Sequence, residues 1–142
     1  MAEETQAGSP LAEAVARVGD RWTLLIVEAL LSGPRRFNDL QDDVDGIAAN
    51  ILSARLRKLE ADGLVLARPY SRRPLRVAYE LTAPGRDLAG ALTLLAHWGS
   101  SRTEAEAPRH DACGTPMEAR WYCPTCARTV EEALPEADVR YV

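Results

Sequence analysis

GIAANILSARLRKLEADGLV, residues Gly46 to Val65, is the stretch that decides the fold. From about Ala48 to Asp62 the leucines at 52, 56 and 59 recur at helical spacing and form one inward stripe. Asn50, Ser53, Ala54, Arg57 and Ala61 fall on the opposite face, which is polar without being acidic. Gly63 follows as a helix stop, and Leu64 and Val65 begin a segment with a different period.

Downstream, LVLARPY alternates as a strand does, turns through Ser71-Arg72-Arg73-Pro74 and returns as LRVAYEL, a β-hairpin with Arg72 and Arg73 at its tip. Thr82 caps a last long helix with an apolar face of Leu88, Ala91, Leu92, Leu95 and Trp98, fraying at Gly99. Upstream, RRFNDLQDDVDG reads as a short helix anchored by Phe37, Leu40 and Val44, with a turn at Asp45-Gly46. Before it RWTLLIVEALLSG, capped by Asp20 and ended at Gly33-Pro34, puts Trp22, Leu25, Ile26, Ala29 and Leu30 on one face. A first helix starts at Pro10, repeats Leu11, Ala14, Val15 and Val18 and stops at Gly19. The expected fold is mainly α with a small β-hairpin: a winged helix-turn-helix domain over residues 10–101.

In that order of elements the fourth helix is the candidate for contact with DNA. Asn50, Ser53 and Arg57 hold donors and acceptors suited to base edges, and Ala54 is a small side chain on the same face. Arg72 and Arg73, on a turn tip, suit phosphates or a narrow minor groove. Arg35 and Arg36 add phosphate contacts at the start of the third helix, or serve as plain surface charges. The charge distribution agrees. Although the net charge is −4, residues 35–76 carry nine basic against six acidic side chains, a local +3 between acidic ends.

The chain also resembles the HxlR-type bacterial transcription regulators, through VGDRWTLLIVEAL, GPRRFNDL, GI-x4-LSARLRKLEADGLV, VAYELTAPGRDL and the trailing HWG. The resemblance covers about Val15 to Gly99. It implies a homodimer, joined through the final helix, that acts on double-stranded DNA as a transcription regulator of repressor type. The fourth helix would read the major groove of a pseudo-palindromic operator and the wing would touch the backbone or the minor groove. The acidic start, unlike a signal peptide, and three cysteines clustered in one short segment suit a protein kept in the bacterial cytoplasm, and there is room for a small-molecule effector. Many members of the family carry a cysteine near the start of the first helix, and some use it to sense oxidants. Here that stretch is PLAEAVARVGDRW, with no thiol.

All three cysteines lie instead in HDACGTPMEARWYCPTC, residues His110 to Cys126. His110-x2-Cys113 and Cys123-x2-Cys126 are two pairs of equal spacing, which suits one tetrahedral Zn²⁺ held by four protein ligands, a structural and not a catalytic site. The expectation is a zinc-ribbon-like segment over 108–130. A thioredoxin-like redox pair at Cys123 and Cys126, between the strand-like ARWY and a helix over RTVEEAL, is the alternative. A third reading leaves the cysteines as inert buried residues.

Residues 1–9 read as a disordered acidic leader, unlike a signal peptide, and 131–142 as an acidic tail. No apolar run reaches the roughly 18 residues a membrane span needs. No nucleophile–base pair, carboxylate pair or phosphate loop argues for an enzyme. The rival to a DNA-binding regulator is a protein-interaction module in which the ribbon binds a partner and the winged helix is a scaffold.

Overall fold

A computed structural model describes residues 8–130 of the chain; the first seven residues of the leader and the acidic tail, 131–142, lie outside the described residues. Four helices open the chain: α1 (Pro10–Val18), α2 (Arg21–Leu31), α3 (Phe37–Asp43) and α4 (Ala49–Ala61). Local chemistry sets their ends. Ser9 Oγ accepts the Ala12 N–H at 3.1 Å to start α1, and the Asp20 carboxylate accepts the Trp22 and Thr23 N–H groups to start α2. α4 ends at Asp62, after which Gly63 takes φ +71, a left-handed turn open to glycine at little cost.

The wing follows as β2 (Val65–Arg72) and β3 (Leu75–Leu81), paired antiparallel from Val65 opposite Leu81 to Arg72 opposite Leu75, with an irregularity between Pro69 and Ser71. A third strand was not visible in the sequence. Arg35 and Arg36 form β1 (Arg35–Arg36), which pairs with Tyr79 and Ala78 of β3 and gives the sheet order β1-β3-β2. Two residues are too short to show a period, so only their partner strand reveals them.

The core is one cluster. Ile26, Val27 and Leu30 of α2, Leu40 of α3, Leu52, Leu56 and Leu59 of α4, and Val65 and Leu81 at the base of the wing are all buried, with Val44 and Ile47. The leucine stripe expected of the fourth helix is therefore its core face.

The long helix expected from Thr82 to Gly99 is in fact two, α5 (Ala83–Arg86) and α6 (Ala89–Ser100). Thr82 Oγ1 accepts from Gly85 N and donates to the Gly63 carbonyl at 2.6 Å, while Arg86 Nη1 donates to the Leu81 carbonyl at 2.8 Å. These bonds pin α5 to the base of the wing, and the Leu88 N–H turns back to Gly85 O instead of continuing the α-helical ladder. The chain divides into two compact units, Met1–Leu92 and Thr93–Val142, a boundary inside α6. The second unit contains the hairpin of β4 (Trp121–Cys123) and β5 (Arg128–Val130). Among the described residues no helix is long and apolar enough to cross a membrane.

Candidate nucleic-acid interface and tail hairpins

α4 divides its polar side chains between anchoring and presentation. Arg55 and Lys58 hold the helix down. Arg55 Nε donates to Asp20 Oδ1 at 2.9 Å, and Lys58 Nζ donates to the Arg17 carbonyl at 2.7 Å and to Asp62 at 3.0 Å. Asp20 is the hub of this joint, since its carboxylate also accepts from the Thr23 hydroxyl. Partial burial pushes the Asp20 carboxyl up, but the bonds from Thr23 and the Arg55 guanidinium outweigh it and hold the group below the ordinary aspartate value.

Asn50, Ala54 and Arg57 are exposed and Ser53 is half-buried, so the predicted reading face is on the outside of a helix fixed at its back. Arg57 Nη2 donates to Ser53 Oγ at 3.2 Å, which orients the guanidinium along the helix surface. The anchoring roles of Arg55 and Lys58 were missed from the sequence, because their partners lie 35 and 41 residues away.

On the wing, Arg68 is taken by Glu80 across the hairpin at 2.6 Å, whereas Arg72 and Arg73 are exposed and make no ion pair among the described residues. Ser71 Oγ donates to the Pro74 carbonyl at 2.9 Å and closes the tip that carries them. Arg76, opposite Ser71 and also exposed, adds a third positive charge that the sequence counted only in the basic middle segment and not at the tip. The two arginines of β1 differ. Arg35 is half-buried and bound to Asp43 at 3.0 Å, so it braces α3; Arg36 is exposed, with its guanidinium 4.9 Å above the Tyr70 ring of β2.

In the tail unit the His110/Cys113 and Cys123/Cys126 pairs stand on the same local structure, repeated thirteen residues further on. His110 N–H donates to Thr115 O at 2.9 Å, as Cys123 pairs with Arg128, and Arg109 bridges Pro116 as Tyr122 pairs with Thr129. The second residue of each pair, Cys113 and Cys126, is followed by one with positive φ, Gly114 at +67 and Ala127 at +51. Each pair therefore sits in a tight hairpin turn. This corrects the redox alternative: residues 128–130 are a returning strand and not the start of a helix, so Cys123 lacks the helix N-terminus that a thioredoxin-like pair requires.

His110 Nδ1 lies 3.3 Å from Cys113 Sγ, close to the edge of about 3.6 Å expected between a nitrogen and a sulfur on one tetrahedral zinc. The Thr115 hydroxyl and N–H, with His110, lower the Cys113 thiol; the N–H and thiol of Cys126, with the Thr125 N–H, lower that of Cys123. Both shifts favour the thiolate, the form that binds metal. Each hairpin thus fits half of a His-Cys₃ set. Among the described residues no three His, Cys, Asp or Glu side chains converge, so the halves stand as two separate pairs.

A three-stranded wing on a helix-turn-helix with an outward, anchored fourth helix defines a winged helix-turn-helix DNA-binding protein. The comparisons with known proteins narrow the class. Residues 17–107 match the HxlR-like helix-turn-helix family, and the chain belongs to it. The HTH-type transcriptional regulator Rv3095 of Mycobacterium tuberculosis is 39% identical, over 91% of this chain and 85% of its own. The redox regulator HypR in its reduced form superposes with a TM-score of 0.63 at 32% identity, covering 66% of this chain and 93% of that one. The transcriptional regulator YodB of Bacillus subtilis, also reduced, gives a TM-score of 0.57 at 29% identity over 66% and 92%. The chain is a DNA-binding transcriptional regulator and not an enzyme.

Proposed function

We propose that the chain acts in the cytoplasm as a homodimeric repressor that reads a pseudo-palindromic operator through α4, with one structural zinc ion per chain. The observation that carries the DNA reading is the exposed Asn50, Ala54 and Arg57 face on a helix locked from behind by Arg55 and Lys58. Rigid presentation lets a few side chains discriminate bases, because little ordering cost remains on binding. Arg72, Arg73 and Arg76 suit the sequence-independent part of the affinity.

Dimerisation is supported by apolar side chains that one chain leaves uncovered: Leu11 at 72% and Val15 at 56% exposure on α1, and Leu95 at 52% on α6. Two copies related by a twofold axis would meet half-sites about one helical turn apart, or a small multiple of it. Occupancy of an operator by such a dimer blocks a promoter without further machinery. The zinc reading is supported by the two equivalent hairpins and their donor set. One ion between them would supply cross-linking where the tail has little core.

Binding-site selection followed by affinity measurement at several salt concentrations tests the reading. Arg57→Ala and Asn50→Ala should weaken the selected site by about 1–3 kcal/mol and leave random DNA nearly untouched. Arg72→Ala and Arg73→Ala should weaken every sequence and reduce the salt slope by about one each. Uniform losses from all four variants would remove α4 as the reader.

A further inference from the structure

The last helix has a second face that the winged helix does not use. Leu92, with Leu88 just before the helix, packs against the core, whereas Leu94, His97 and Trp98 recur at i, i+3 and i+4 on the opposite side of the turn, with Ser101 just past the helix end. Within the Thr93–Val142 unit these residues form one wall of a cavity of about 640 Å³, and residues 118–121 with Val130 form the other. That volume falls in the range of about 300–1,000 Å³ typical of small-molecule sites. Both tryptophans of its lining are unusually open, Trp98 at 60% and Trp121 at 58% exposure.

The lining selects a chemistry. Glu118 and Arg120 are paired at 2.6 Å across the same wall, so their charges largely cancel and a charged ligand gains little from them. Arg102 stacks on Trp98 at 4.6 Å, a contact that holds the indole in place. The His97 ring, by contrast, makes no hydrogen bond among the described residues. Two indoles with the aliphatic Leu94, Ala119 and Val130 favour a flat aromatic body, and the His97 imidazole supplies a polar contact.

We infer that this cavity binds an uncharged planar aromatic molecule bearing one polar substituent, held between Trp98 and Trp121 with the substituent at His97. The inference goes beyond the DNA reading and rests on the zinc reading for the order of its 118–121 wall, so the titration is made on protein whose zinc content has been measured. It also accounts for the exposed Trp121, which neither the core, the reading face nor the proposed dimer helix employs.

Titration of the full-length protein with 2-naphthol, followed by calorimetry and by saturation transfer to the ligand protons, tests it. The expected result is saturable binding at one site per chain, with decahydro-2-naphthol, the saturated molecule of the same outline, binding about tenfold more weakly. Trp98→Leu should weaken 2-naphthol by a similar factor with an unchanged circular dichroism spectrum. Ala119→Phe, which adds a ring to the other wall, should block it even if the first variant folds poorly. No binding, equal binding of the saturated molecule, or full binding by both variants would overturn the site. So would a loss of binding in Trp98→Leu that tracks dissociation of the dimer, since a second copy of the chain would then be the occupant of this face.

Discussion

The wing and the tail are both antiparallel hairpins rich in arginine, and they are held by different means. At the base of the wing Val65 and Leu81 are buried in the main cluster, and Thr82 and Arg86 tie the next turn to it. In the tail, none of the described residues from Thr93 to Val130 is buried, and Trp121 and Tyr122 on β4 stay more than half exposed. A hairpin on a core is stabilised by apolar burial, whereas a short segment without one depends on a cross-link.

The largest effect that sharpens this contrast is metal removal. If the proposed zinc is bound, the protein should hold about one equivalent per chain, and chelation or Cys126→Ser should abolish it together with the amide protection of residues 108–130, while the winged-helix melting transition stays in place. Release should be favoured by acid and by thiol oxidants, because both consume the thiolate. Tail amides that stay protected in metal-free protein would break the comparison. The converse experiment is Leu56→Ala, at a position 1% exposed, which should destabilise the winged helix by about 2–5 kcal/mol in denaturant titration. Its zinc content should be unchanged.

A smaller effect lies at the joint behind the reading helix. Asp20→Ala removes a helix cap and a partner of Arg55, and should cost about 1–2 kcal/mol. Since the folded state lowers the Asp20 pKa, its contribution is present above the ordinary carboxylate pKa and is lost as pH falls through the lower folded value. The stability gap between wild type and variant should therefore be full at neutral pH and close in acid below about pH 4. A gap that is constant with pH would assign the loss to packing. Smallest is Ala127→Gly: at φ +51 an alanine is strained, and glycine should slow amide exchange in residues 121–130 by the equivalent of about 1 kcal/mol or less. Faster exchange would mean that the methyl group is packed and not merely tolerated.

Periodicity made most of the winged helix readable from the chain alone. The Leu52, Leu56 and Leu59 stripe is the core face, Asp20 and Thr82 cap as their positions suggest, and the outward set of Asn50, Ala54 and Arg57 follows from 3.6 residues per turn. Equal x2 spacing likewise marked both tail pairs, since ligands that close together can share an ion. These features are local, and local sequence carries them. What tertiary structure alone decided is which arginines are already spent: Arg35 on Asp43, Arg55 on Asp20 and Arg68 on Glu80, against Arg57, Arg72 and Arg73 turned outward. The β1 strand and the break between α5 and α6 were equally hidden. Each depends on a partner distant in the chain, and a guanidinium or a peptide group has no preference until folding brings that partner within hydrogen-bonding reach.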